Sequence, residues 1–400
     1  MRIGVLTTSF PRDDHDIAGH FVLGSCQALI ASGHHVEVLA PEDDETRASH
    51  NKLLHPGLTV RRVVYLRPRS LQRTFYGAGV LDNLRTDPRA WLGLAPFTIA
   101  MAAQVAQRSP DWDAVISHWA LPCALLARLR PDGCRHLSVL HSADVHLLRR
   151  LPGHSRLARA VLRSADHLTF TSEALRSTFA ACLPPQDRPL LPTRSHCSPM
   201  GVEDCPPLAA REALRTRLGL SRFTALVLSR LVPVKGIEHA IDSVRGTNIE
   251  LVVVGDGPER EHLHSLAADL GSQVRFVGWA VGTDKHAWLR AADAVLVPSV
   301  VLASGRTEGV PTVAIEAMVT GTPVIASNVG GVASLIDHGH NGLLVPAESP
   351  QALRAALVQL QGNARLRTEL TENAAITAGR HRWPEVIKRW EQALRPSQAG

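Results

Sequence analysis

Apolar residues in this chain fall into short uninterrupted blocks, and amphipathic stretches lie between them. The block Ile3-Gly4-Val5-Leu6 predicts a buried strand over residues 2–7, followed by a long loop over 9–19. From 20 to 32 the spacing of Phe21, Cys26, Leu29 and Ile30 is helical, Gly33 stops the helix, and Val36-Glu37-Val38-Leu39 predicts the next strand. Such a strand–helix–strand opening favours a parallel sheet, because parallel neighbours need a crossover between them. Further strands are expected at 114–117 and 136–140. Seven prolines between Pro184 and Pro207 then mark an end of regular structure and a domain boundary.

The alternation restarts beyond them. Strands are expected at 224–228, 250–254, 274–277, 294–297, 324–327 and 343–345, with helices near 236–245, 259–270, 285–292, 313–319, 331–337 and 350–361. Two doubly wound α/β domains follow from this pattern, and such a pair predicts a ligand crevice facing the carboxyl ends of the strands. The expected division is an N-terminal domain over 1–203 and a C-terminal domain over 204–381. A last helix over 382–400, carrying Trp383 and Trp390, is expected to pack back on the first domain.

Composition narrows the class. A hydrophobic fraction of 45% with 20% charged residues describes an ordered globular chain of 400 residues, long enough for two cores. The formal charge is +6, and residues 1–200 hold all of it, with 23 Lys+Arg against 17 Asp+Glu. That asymmetry fits an anionic substrate or membrane surface; with 4% aromatics and no nucleic-acid-binding module, nucleic acid is not the expected partner. Six scattered cysteines without a C-x-x-C read as reduced thiols. The apolar start is too short for a signal segment, and the run 92–106 is interrupted by Pro96 and Gln104 and falls short of a membrane span. A cytoplasmic location is expected, with a peripheral place on the inner face of a membrane as the open alternative.

Candidate chemistry sits at the ends of the predicted strands. Arg230 and Lys235 lie between a strand and a helix, where two cations and a helix N-terminus make an anion site; solvated surface cations are the plain alternative. Glu308 falls in a loop and Glu316 among apolar helix residues, where a carboxylate needs a partner, either sugar hydroxyls or a salt bridge. Gly255-Asp256-Gly257 follows a strand but has Arg260 where a dinucleotide fingerprint has its third glycine. His141 and Asp144 follow a strand of the first half. Asp14-His15-Asp16 and Asp111-Trp112-Asp113 match a short metal-binding pattern that chance produces often, so no metal is expected.

In order along the chain, these residues resemble family 4 of the retaining glycosyltransferases with the GT-B fold. The resemblance rests on Arg230 and Lys235 before Gly236, on Val254 to Arg260, and on the E-x7-E pair Glu308/Glu316. It extends through Gly321-Thr322-Pro323, Gly330-Gly331 and Asn341 to Pro346. More loosely it includes Gly33-His34-His35-Val36, His118-Trp119-Ala120-Leu121-Pro122 and His141-Ser142-Ala143-Asp144, and Phe10-Pro11 with Gly19-His20-Phe21-Val22 looks like members that build bacterial exopolysaccharide or cell-wall glycans. What the resemblance implies is two Rossmann-like domains facing across a cleft and transfer of a sugar from a UDP- or GDP-sugar, with retained configuration, to a glycan or lipid-linked acceptor. It also implies no cofactor beyond the donor substrate. Arg230 and Lys235 would hold the diphosphate, Glu316 the ribose and Glu308 the transferred sugar, with His141 near that sugar. Gly19, Asp144, Gly255, Gly257, Gly309, Val310 and Pro311 would complete the donor surroundings. Ser334 and Ser142 depart from the family pattern. A sugar-nucleotide epimerase, a phosphorylase or a silent nucleotide-sugar-binding protein are the alternatives on the same scaffold.

Overall fold

The computed structural model describes residues 1–12, 16, 18–43, 55–76, 80–303, 305 and 307–395, with the side chains at 81, 82 and 85 left aside. The chain divides into two compact units. One comprises Met1–Thr171, Leu175–Gly201 and the helix Trp383–Leu394; the other comprises Val202–Arg382 with Ser172–Ala174.

The first unit holds a seven-stranded sheet. Its strands are β1 (Arg2–Leu6), β2 (His35–Pro41), β3 (Leu58–Val63), β4 (Ala114–His118), β5 (Arg135–Leu140), β6 (His167–Phe170) and β7 (Ser195–Cys197), in the order β3-β2-β1-β4-β5-β6-β7. The second holds β8 (Phe223–Leu228), β9 (Ile249–Val254), β10 (Val274–Gly278), β11 (Ala294–Val297), β12 (Val324–Ser327) and β13 (Leu343–Val345), in the order β10-β9-β8-β11-β12-β13. Every pairing in both sheets is parallel. Helices cover both faces of such a sheet, so central strands are apolar along their whole length. Ile249–Val254 is buried at all six positions and Ala114–His118 at all five.

Each sheet reverses its winding once, between β1 and β4 in the first and between β8 and β11 in the second. At such a switch point the two βα loops leave in opposite directions, and a crevice opens outside the carboxyl ends of the strands. The loops 229–236 and 298–311 flank that point in the second unit, as 7–19 and 119–126 do in the first.

The predicted strands are all present, and three more appear. β3, β6 and β7 lie toward one edge or the other of the first sheet, where burial on both faces is not required, so none carries a long apolar block. β7 and the short helix Leu190–Thr193 lie among the prolines that were expected to end regular structure. The helix expected at 331–337 is only a 3-10 turn, Val332–Ser334. The apolar run at 92–106 forms the helix Leu94–Arg108, which buries Phe97, Met101 and Val105.

The helix Trp383–Leu394 completes the core of the first unit. Trp390 is fully buried beside Val386, Ile387 and the residues of β1, β2 and β5. Trp383 fills the space left by two glycines: a Cβ on Gly201 would lie 2.4 Å from its ring, and one on Gly24 2.8 Å from its Nε1. Removing so large a buried ring costs its transfer energy plus a cavity. Trp390→Ala is therefore expected to lower the unfolding free energy by about 3–5 kcal/mol, read from denaturant unfolding of the full chain; an unchanged midpoint would mean that this helix is dispensable to the unit.

Candidate active site

In the second unit the loop after β8 carries Arg230 and Lys235, both half-buried. Two sets of backbone contacts hold this loop. On one side Leu231 N donates to Asp256 O at 2.8 Å and Glu259 N to Leu231 O at 3.1 Å. The approach is close enough to demand glycine. Gly255 has φ +147° and a Cβ there would sit 1.8 Å from Ser229 O; Gly257 has φ +157°, with the corresponding distance 2.4 Å to Leu231 O. The two glycines of the turn after β9 therefore seat the Arg230 loop. On the other side Val300 N donates to Val234 O at 3.0 Å, which ties this loop to the one after β11. Gly236 then starts the helix Ile237–Val244 in a left-handed conformation.

Glu308 reaches this place from the β11 loop. Lys235 Nζ forms an ion pair with its Oε1, and the buried Ser299 donates from Oγ to its Oε2. Both carboxylate oxygens are thus oriented, one by charge and one by a hydroxyl. The backbone behind Glu308 rests on the pair Gly330-Gly331. Gly331 N donates to Glu308 O at 3.3 Å, and a Cβ on Gly330 would fall 2.2 Å from that same oxygen. Gly309 and Val310 continue the loop half-buried, and Pro311 is the N-cap of the helix Thr312–Thr320.

Glu316 lies in that helix, between the buried Ile315 and Ala317. Its Oε1 accepts from Lys285 Nζ at 3.0 Å, so of the two partners expected for this carboxylate the chain supplies a cation. Lys285 and Ser299 are the two polar side chains here that the sequence did not single out. Ser299 stands one residue beyond a proline at a strand end, which is a weak signal; Lys285 comes from another helix, 31 residues away, and carries none.

In the first unit the polar cluster lies at the ends of β4 and β5. His141 is the N-cap of the helix Ser142–Arg150, and its Nε2 lies 3.2 Å from Nδ1 of His118, the last residue of β4. The rings of Phe21 and Trp119 both pack on His141, at 4.9 and 4.8 Å between centroids, and lie 6.1 Å from each other. Trp119 holds φ 80°, a left-handed conformation that its side chain disfavours. Asp144 secures that turn: its carboxylate accepts from Ala120 N at 2.8 Å and from Val145 N at 2.9 Å. It serves the backbone of its own unit. Gly19 starts the helix His20–Ala31 at φ +72°, where a Cβ would lie 2.3 Å from Ser9 O.

Of the two short aspartate patterns, Asp14 and His15 lie outside the described residues, and Asp16 pairs with Arg12 at 2.6 Å. Asp113 accepts from Arg2 N at 2.7 Å, and Asp111 lies 3.8 Å from Arg108.

The arginine-rich stretch 61–89 is largely engaged within the protein. Arg61 pairs with Glu37, Arg69 with Glu42 and Arg73 with Asp87, while Arg62 donates to Tyr76 and to the backbone of Phe10 and Pro11. Their planar forks serve neighbouring acceptors, a use that composition cannot distinguish from an open basic face.

Two family descriptions match the chain. Residues 211–377 fit the glycosyl transferases group 1 model, and residues 18–192 the glycosyl transferase 4-like domain. Over 292 residues the chain is 34% identical to a GDP-mannose-dependent alpha-(1-6)-phosphatidylinositol monomannoside mannosyltransferase of Mycobacterium tuberculosis; the match covers 68% of this chain and 71% of that one. Over 380 residues it is 30% identical to a D-inositol 3-phosphate glycosyltransferase of Acidothermus cellulolyticus, covering 86% and 78%. Among solved structures, Anabaena HepE in complex with UDP-glucose superposes with a TM-score of 0.72 at 19% identity, over 98% of this chain and 99% of that one.

Burial sets the charge state of the first cluster. It holds the His141 imidazole down at about 3, and His136 and His196 at about 4. His118 is held well below the ordinary value by burial and by His141 beside it. These histidines are neutral when folded, whereas the unfolded chain protonates them near pH 6.5. Their contribution is therefore fully present above pH 6.5 and is lost as pH falls toward 4, by up to about 1.4 kcal/mol per pH unit for each ring. Asp144 works in the opposite sense. Burial raises it to about 7, so its contribution grows as pH falls from 7 to 4. Below pH 6.5 four rings outweigh one carboxyl, so the melting temperature is expected to change little between pH 7.5 and 6.5 and to fall from pH 6.5 to 5; a flat profile below pH 6.5 would refute neutral burial of these histidines.

Proposed function

This chain belongs to the group 1 glycosyl transferases, and from that membership we propose that it moves a sugar from a UDP- or GDP-sugar to a glycan or lipid-linked acceptor with retention of anomeric configuration. The second unit binds the donor and the first receives the acceptor. The observation that carries this reading is the arrangement at the β8/β11 switch point, where Lys235, Glu308 and Ser299 are hydrogen-bonded together beside the Arg230 loop.

Cleavage of the bond between the anomeric carbon and the diphosphate oxygen leaves negative charge on the leaving group. Arg230 and Lys235, fixed by the two glycine-seated contacts, stabilise that charge more in the transition state than in the ground state. When the diphosphate takes up Lys235, Glu308 keeps its bond from Ser299 and has an oxygen for a sugar hydroxyl. Glu316, with Lys285, meets the ribose. His141 and its aromatic neighbours face the transferred sugar. A departing phosphate oxygen takes the acceptor proton, so the route asks for no enzymatic base and no metal. Two named neighbours support the donor class: the mycobacterial relative uses GDP-mannose and HepE is complexed with UDP-glucose.

The acceptor side is where a lipid surface enters the proposal. Residues 61–108 contain eight arginines against two aspartates, a surplus equal to the +6 of the whole chain. Within it Trp91, Leu92 and Ile99 are 60%, 59% and 70% exposed, on the 3-10 segment Pro88–Gly93 and the helix that follows. Exposed Arg67 and Arg89 lie in the same stretch. Because Arg61, Arg62, Arg69 and Arg73 are internally engaged, the proposed lipid-facing part is narrower than 61–89 and centres on Trp91, Leu92 and Ile99. No helix among the described residues is long and apolar enough to cross a membrane.

Three experiments test the reading. A panel of UDP- and GDP-sugars screened by thermal shift identifies the donor, and NMR of the product, formed in the presence of EDTA, is expected to show the donor's anomeric configuration; an inverted product overturns the mechanism. With that donor saturating, Arg230→Ala and Lys235→Ala are each expected to lower turnover by roughly 10²-fold, and near-normal turnover in either would remove it from the leaving-group site.

For the surface, the full chain is expected to sediment with phosphatidylglycerol/phosphatidylcholine vesicles at low salt. Binding should decline toward 0.15 M salt, where screening shortens the field to about 8 Å, and weaken in Trp91→Ala/Ile99→Ala. Equal binding to purely zwitterionic vesicles would contradict it.

A further inference from the structure

His118 is the fully buried member of the histidine pair. Its exposure is 0%, and it closes β4 directly beside the end of β5, with Trp390 6.1 Å away on one side and Phe21 6.2 Å away on another. The parallel register of these strands, His118 opposite Val139, brings its ring edge to edge with His141, with 5.5 Å between centroids and 17° between planes. Within this pair Nδ1 of His118 and Nε2 of His141 are 3.2 Å apart, and one of them donates to the other.

The rest of the pocket decides which. Nε2 of His118 is buried with no hydrogen-bond partner among the described residues. If His141 donated, neutral His118 would carry its proton on Nε2 and bury an N–H without an acceptor. If His118 donates from Nδ1, only a lone pair is left unpaired there. Orphaned buried N–H groups are the rarer and costlier of the two defects. A neutral imidazole that accepts at Nε2 must carry its proton on Nδ1.

We infer that His118 is a positioning residue that locks His141 in the Nδ1–H form, so that His141 presents a hydrogen-bond donor to the transferred sugar. The inference rests on the place given to His141 in the proposed reaction, but its central statement concerns the free protein. The Phe21 and Trp119 rings hold the plane of the imidazole, and His118 sets the direction of its proton. A donor that is already oriented loses no rotational freedom when the sugar hydroxyl or ring oxygen arrives.

The test is the tautomer itself. In full-length protein carrying ¹⁵N-labelled histidine, without donor, the His141 ring signals are identified by their loss in His141→Asn. The expected pattern is a protonated Nδ1 and a bare Nε2; a protonated Nε2 overturns the inference whatever the activity turns out to be. Two variants of the folded enzyme extend it. His118→Asn keeps an N–H near the position of Nδ1 and is expected to retain the Nδ1–H signature and turnover within a few-fold. His118→Leu keeps bulk without a donor. It is expected to shift the His141 signals toward the other tautomer and to lower kcat by roughly tenfold, the equivalent of one lost neutral hydrogen bond. Equal turnover in both variants with an unshifted His141 signature would reduce His118 to a packing residue. Loss of turnover in wild type with the expected signature intact would count against the proposed reaction instead.

Discussion

Parallel pairing is the constraint from which the rest of this molecule follows. A strand paired in parallel on both sides must be entered from the same end each time, so every connection leaving a carboxyl end emerges at one edge of the sheet. Where the order reverses, between β8 and β11, two such loops leave in opposite directions and their first residues stand side by side. Lys235 and Glu308 are 73 residues apart in the chain and meet for that reason alone. The β1/β4 reversal of the first unit has the same form, and β4 and β5, adjacent beyond it, bring His118 to His141.

Such crowding requires that some backbones approach more closely than side chains permit. Several glycines of this chain stand where that happens. Gly255 and Gly257 lie against the backbone of Ser229 and Leu231, and Gly330 against that of Glu308. A glycine turn after a strand has the form of a phosphate-binding feature. Here its first duty is internal: it carries the loop that carries the cations. The precision of the Arg230 and Lys235 positions is thus inherited from atoms that are absent, which is also why a single methyl group at Gly255 would be felt by the loop that carries these two cations.

The two units handle polar groups in different ways. In the second, the charges near the switch point are paired: Lys235 with Glu308, Lys285 with Glu316. In the first, the polar groups at the strand ends are buried and mostly neutral. His118, His136 and His141 lie in a low-dielectric setting where charging them is costly, and they are satisfied largely by one another and by Ser117 and Ser164. Paired charges suit the recognition of an anionic leaving group, whereas neutral donors and aromatic faces suit a sugar. The contrast follows from burial, and it gives the two parts of the proposed donor, leaving group and sugar, chemically distinct surroundings.

What the sequence alone determined was the class of fold and the loops that matter. A central parallel strand is covered on both faces, so it must be apolar throughout, and that requirement is visible as the blocks at Ile3, Val115, Leu251 and Val295. The ordered motifs placed Arg230, Lys235, Glu308 and Glu316 in loops and a helix after such strands, and the family followed from their order. The tertiary structure alone decided which of these residues touch. It brought Ser299 to Glu308 and Lys285 to Glu316, turned Asp144 toward the backbone of Ala120, and spent most of the arginines of 61–73 on Glu37, Glu42, Asp87 and Tyr76. It also added the outer strands β3, β6 and β7, whose residues need satisfy less burial and so leave a fainter pattern. The reason is the same in each case. Burial acts on one residue at a time and is written in its hydrophobicity, whereas a contact between distant residues depends on strand order and register, which no local periodicity records.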